Sequence, residues 1–143
     1  MAQLSTLDLV RRAWKILLAL VLAASVWGYF FSGTPPFGRK LALRSAPVAS
    51  IELAMSTRRE ISSSKLCAEV LHTMQKAREG GPVHLCPALG SLTILFADGT
   101  TNRFDLMPGH WPNRLDLVDR SGLYSISMGE MFGTLERVGL LTR

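Results

Sequence analysis

One apolar run, Ile16 to Phe31, constrains this chain more than any other feature. It reads ILLALVLAASVWGYFF, without a charge or a proline. Arg11, Arg12 and Lys15 precede it, and Gly33, Pro35 and Pro36 follow. With Ala13 and Trp14 the stretch reaches nineteen residues. That is about 28 Å of helix at ~1.5 Å per residue, close to the ~30 Å hydrocarbon core of a bilayer. The pattern predicts a short basic N-terminal tail over 1–12 and an uncleaved transmembrane helix, a signal anchor, over 13–32.

Two other readings compete. A cleaved signal peptide needs a small-residue processing site, which Ala23-Ala24-Ser25 loosely supplies. Cleavage there strands Val26 to Phe31 as an apolar N-terminus, which favours the anchor. A buried core helix would carry a polar stripe, and this run has none. The flanks fit a membrane interface. Trp14 lies at one end and Trp27 and Tyr29 at the other, with Arg11, Arg12 and Lys15 placed to meet headgroups. Ala19 and Ala23, and Ala24 and Gly28, recur at the four-residue spacing that lets helices pack closely in lipid.

Charge is distributed in a way that bears on partners. Residues 1–45 carry six Lys/Arg against Asp8 alone, whereas residues 46–143 carry ten of each sign. The basic pI of about 9.8 therefore belongs to the flanks of the apolar run, where it faces phospholipid. A nucleic-acid-binding domain would hold its excess on the folded part, so nucleic acid is not an expected partner. Orientation rests on a tie, three Lys/Arg before the run and three soon after. A short tail ahead of one span places the C-terminal domain on the extracytoplasmic side.

Residues 33–47, rich in Gly, Pro and basic residues, read as a linker to a small α+β domain over 48–143. Val48 to Thr57 alternates as a half-buried strand, with Ile51, Leu53 and Met55 on one face. A helix follows, capped by Ser62, with Leu66, Cys67, Val70, Leu71, Met74 and Ala77 as its apolar stripe and Gly80-Gly81-Pro82 as its stop. Asp98-Gly99 and Asp119 to Gly122 mark two turns between alternating segments. Ser127 to Glu130 forms a capping box opening a last helix. The predicted order is β-α-β-β-β-β-α, a two-layer domain with a mostly antiparallel sheet and both helices on one face.

Chemistry-bearing residues are sparse. Cys67 and Cys86 are a disulfide candidate if the chain reverses at Gly80-Gly81. A bridge closing their loop of about 19 residues is worth roughly 3 kcal/mol in the chain-entropy model and calls for an oxidising compartment; unpaired core thiols are the alternative. Cys67 and His72, five apart, point about 140° away from each other on a helix, so with His84 they make no zinc site, and no metal or cofactor is expected. Asp98 and Asp119 suit turns, and Asp105 and Asp116 fall on outward strand positions where pairing with Arg103 or Arg114 is the plain reading. No nucleophile elbow or phosphate loop is present. The loop Met107 to Asn113 sets His110 and Trp111 between two prolines, as a contact surface or as a cover for the sheet end.

The expected function is a membrane-anchored, non-enzymatic interaction domain, an accessory subunit whose partners are the lipid bilayer and another membrane or envelope protein. The rivals are a tethered small-molecule sensor and an enzyme built on scattered Asp and His residues.

Overall fold

The computed structural model describes residues 6–31, 38–80 and 86–142, with side chains described from Arg12 to Trp27 in the first segment. Within them the chain forms an α+β fold of three helices and a seven-stranded antiparallel sheet. It divides into two compact units, 1–32 and 33–143.

The first unit holds α1, Thr6–Phe31. Among the described residues no helix is long and apolar enough to cross a membrane. Arg12 and Lys15 open the described stretch and leave Ile16 to Trp27 as its uncharged part. The expectation of a single-pass signal anchor over 13–32 is corrected accordingly. The side chains of Arg11, Gly28 and Tyr29, and residues Gly33, Pro35 and Pro36, lie outside the described residues. Ser25, the one hydroxyl in the apolar stretch, satisfies itself by donating to the Val21 carbonyl at 2.8 Å.

In the second unit the alternation of Val48 onward gives β1 (Val48–Ala54), with Ile51 and Leu53 buried. Met55 does not extend the strand. Its N–H donates to the Thr57 carbonyl at 3.1 Å, and the chain returns as β2 (Arg58–Ile61), antiparallel to β1 with Leu53 opposite Arg59 and Ile51 opposite Ile61. This strand is absent from the expected order. α2 (Ser64–Met74) starts one residue later than expected, with Ser63 rather than Ser62 at the N-cap and no side-chain hydrogen bond there. Cys67, Val70, Met74 and Ala77 are buried as the stripe requires.

After α2 the chain runs into β3 (Arg78–Glu79) on the far edge of the sheet rather than folding back at Gly80. β4 (Gly90–Phe96), β5 (Thr101–Pro108), β6 (Arg114–Asp119) and β7 (Gly122–Ser127) form the meander, and α3 (Met128–Arg137) closes the domain. The strand order is β2-β1-β4-β5-β6-β7-β3. At the β4–β5 turn Gly99 takes φ +80°, a region open to glycine, while Asp98 Oδ1 accepts from the Thr100 N–H at 3.0 Å. Asp119 Oδ1 does the same for Ser121 and Gly122 at 2.8 and 3.1 Å.

α2 and α3 pack on each other, α2 on β1 and α3 on β6 and β7. The core joins Ile51, Leu53, Leu92, Ile94, Phe104, Leu106, Leu115, Leu117 and Ile126 from the sheet to Val70, Met74, Met131 and Leu135 from the helices. Thr73 is buried as well: its hydroxyl meets that of Thr134 at 3.1 Å across the helix pair and bonds the Glu69 carbonyl. Lys76–Glu130 and Arg137–Glu69 ion pairs flank the same seam. Part of the expected linker is structural. Leu41 is buried, its N–H donates to Ala77 O at 3.0 Å, and Glu79 N–H donates to Arg39 O at 2.8 Å.

Candidate functional site

The loop between β5 and β6 is a closed hairpin. The Gly109 N–H donates to Arg114 O at 2.9 Å, and Arg114 N–H donates to Trp111 O at 3.3 Å. Asn113 takes φ +63°, and a β-carbon on Gly109 would sit 2.6 Å from Arg114 Cβ, so both sequence positions are set by the turn. Trp111 is 44% exposed, so the indole neither folds fully over the sheet end nor stands clear of it. The His110 ring stands over β6, with Nδ1 4.0 Å from Asp116 Oδ2.

Beneath this loop the outward side of β6 is not solvated as the alternation implied. Arg114 and Asp116, two apart on the outward side, are only 4% and 2% exposed, and Ser125, opposite Asp116 on β7, is also buried. The expected cross-strand partnership of Arg103 is instead a contact along its own strand, with Asp105 at 3.4 Å.

The cysteines do not form the expected disulfide; both are free, Cys67 buried and Cys86 exposed. Cys67 faces the core, its thiol 3.6 Å from the Ile61 carbonyl, at the β2 edge of the sheet. Cys86 lies on the segment that leads into β4. The inference from a bridge to an oxidising compartment falls with it. Burial pushes the Cys67 thiol up from its ordinary value. His72 is exposed on α2, and Val83, His84 and Leu85 lie outside the described residues. Among the described residues no group of three metal-ligating side chains converges.

On α1, Trp14, Ile16, Leu17, Leu18, Leu20, Val21, Leu22, Val26 and Trp27 are each more than half exposed. Ala19, Ala23 and Ala24 are exposed too, as are Arg12 and Lys15.

The second unit carries depressions on its surface. One of about 260 Å³ lies among Leu53, Met55, Ser56, Thr57, Leu89 and Leu140. A larger one of about 500 Å³ lies on the outward sheet face across β2, β1, β4 and β5. Its floor is Ser50, Ala54, Ser91 and Thr93, and its walls include Glu52, Arg58 and Glu60 on one side and Arg103 on the other. Sequence reading missed this groove. The signal was present as a period-two run of small and hydroxyl residues on the polar side of three strands, but it becomes a site only once register sets those strands side by side.

No protein-family model, no curated protein and no solved structure matches the chain.

Proposed function

We propose that this chain is a non-enzymatic interaction domain, an accessory subunit held against a lipid bilayer by α1 and offering the His110–Trp111 hairpin to a protein partner. The observation that carries the reading is the surface of α1, where nine large apolar side chains are each more than half exposed. Leaving that much apolar area in water costs about 25 cal/mol per Å², and patches of this size on soluble chains mark binding surfaces. Arg12 and Lys15 at the start of the stretch suit anionic headgroups. The proposal is one of attachment and does not require α1 to cross.

The hairpin supports the protein-partner half. Its shape is fixed by backbone hydrogen bonds and by Pro112, so little conformational entropy is lost when Trp111 is covered. Aromatic anchors of this kind dominate many interfaces.

Vesicle flotation tests attachment. The full chain is expected to float with phosphatidylglycerol-containing vesicles, and the Leu17→Glu, Leu20→Glu double variant to stay in the load fraction. A wild-type chain that remains in the load fraction overturns the attachment. For the partner, a photocrosslinking residue at position 111 is expected to give one discrete adduct in native membranes that the same residue at Arg120 does not. Identical patterns at the two positions overturn the contact role. Protease protection of residues 33–143 in sealed vesicles of known sidedness reports the orientation.

A further inference from the structure

The outward groove on β2-β1-β4-β5 has a polarity that goes beyond bilayer attachment. Register places Glu60, Glu52, Thr93 and Arg103 in one row across four strands. Glu52 and Glu60 are direct cross-strand neighbours of like charge, an arrangement that destabilises an antiparallel pair. Arg58 relieves one of them, with its Nη2 2.6 Å from Glu52 Oε2. Glu60 makes no hydrogen bond or close ion pair among the described residues and feels Arg58 only at longer range. The β1–β2 wall therefore keeps a surplus negative charge. The opposite wall presents Arg103, whose side chain is 68% exposed and, among the described residues, pairs with Asp105 at 3.4 Å.

Between the walls the floor mixes hydroxyl groups with Ala54 and Leu95. Ser50, only 6% exposed, lines the groove and has no hydrogen-bond partner for its hydroxyl among the described residues. The hydroxyls of Ser91, Thr93 and Thr101 are likewise unengaged among the described residues. These hydroxyls line a groove open to solvent, so a ligand that brings hydrogen-bonding groups of its own can take the place of their water. Ser50 owes its place to a register shift between Val48 and Ser50, an irregularity that re-aims side chains beside binding sites. No aromatic ring lines the groove, which disfavours nucleobases and sugars that bind by stacking.

We propose that this groove binds a short zwitterionic peptide, its ammonium at Glu60 and Glu52 and its carboxylate at Arg103. Neighbouring strands lie ~4.8 Å apart, so Glu52 and Arg103 are separated by about 10 Å and Glu60 and Arg103 by about 14 Å of backbone. Three extended residues span roughly 10 Å, and the amides between the two ends meet Ser50, Ser91 and Thr93. A volume of about 500 Å³ accommodates a tripeptide and falls within the usual range for ligand clefts.

The test is an amide-shift titration of the full chain in detergent with trialanine, its N-acetylated form and its C-amidated form. Trialanine is expected to bind saturably and to shift Ser50, Ser91 and Thr93. Blocking either terminus is expected to weaken it at least tenfold. Glu60→Gln should remove most of the penalty of acetylation and Arg103→Gln most of the penalty of amidation, because each deletes the charge that reads that end. Trp111→Ala is expected to leave the affinity unchanged. A well-dispersed spectrum with no saturable shift, or blocked and free peptides of equal affinity, overturns the proposal. A diamine that binds as tightly as trialanine also overturns it, since that site would be reading cations alone.

Discussion

At the scale of single residues, environment rather than residue type decides what each chemistry-bearing group does. Cys67 and Cys86 share a side chain and nothing else: one thiol is sealed under α2 with its ionisation pushed up by burial, the other is exposed. A thiol-reactive reagent at pH 8 is therefore expected to add one label to the native protein and two after denaturation, read by intact mass. A native protein that accepts none, and shows a two-proton mass deficit, would restore the bridge. Asp98 illustrates an acid with a structural role. Its carboxyl is held below the ordinary range, first by hydrogen bonds from Thr100 and further by Arg44, whose Nη2 lies 2.7 Å away. A folded-state value lower than the unfolded one means stabilisation that is full at neutral pH and drains away as pH falls below about 4. Asp98→Asn is expected to lower Tm at pH 7, with the gap to wild type closing through that acid window. A gap independent of pH would assign the loss to the turn instead. The roles of Asp98 and Asp119 were legible, because a turn aspartate is recognised by its neighbours in sequence. The burial of Asp116 was not, since it depends on a loop that returns over the strand from His110.

At the scale of elements, the long periodic segments could be read and the short ones could not. α2, α3 and β4 to β7 declare themselves through stripes, alternation and the two aspartate turns. β2 reads Arg-Arg-Glu-Ile, whose charges hide the period, yet this is what an edge strand needs to discourage further pairing. β3 has two residues, too few for any pattern, and exists because β7 offers a partner. The two helix starts give a paired test. Ser127 accepts from the Glu130 N–H at 3.4 Å, whereas Ser63 makes no side-chain cap bond. Ser127→Ala is expected to cost about 0.5–1 kcal/mol, at the low end of the capping range because the bond is long, and Ser63→Ala only a few tenths. Equal costs measured by urea denaturation would mean that the static cap geometry does not govern these ends.

At the scale of the whole molecule, α2 carries the chain from β2 at one edge of the sheet to β3 at the other, a traverse that no local pattern announces. The groove is legible only at this scale as well, because Glu60, Glu52, Thr93 and Arg103 come from four segments that register alone aligns. The strap from Gly38 to Pro47 has a mechanical meaning. If the N-terminal helix is held while the second unit is pulled, tension enters the fold at Arg39 to Leu41. Two backbone hydrogen bonds and the Lys40–Arg78 bridge carry it into the marginal strand β3. In an optical trap, with handles at residue 6 and the C-terminus, the strap and β3 are expected to peel away at low force before the remaining six strands yield. A single all-or-none rip would show that the strap and sheet bear load together. Leu41, buried at rest, would be the first core side chain to meet water, so its exposure would report the tension on the strap.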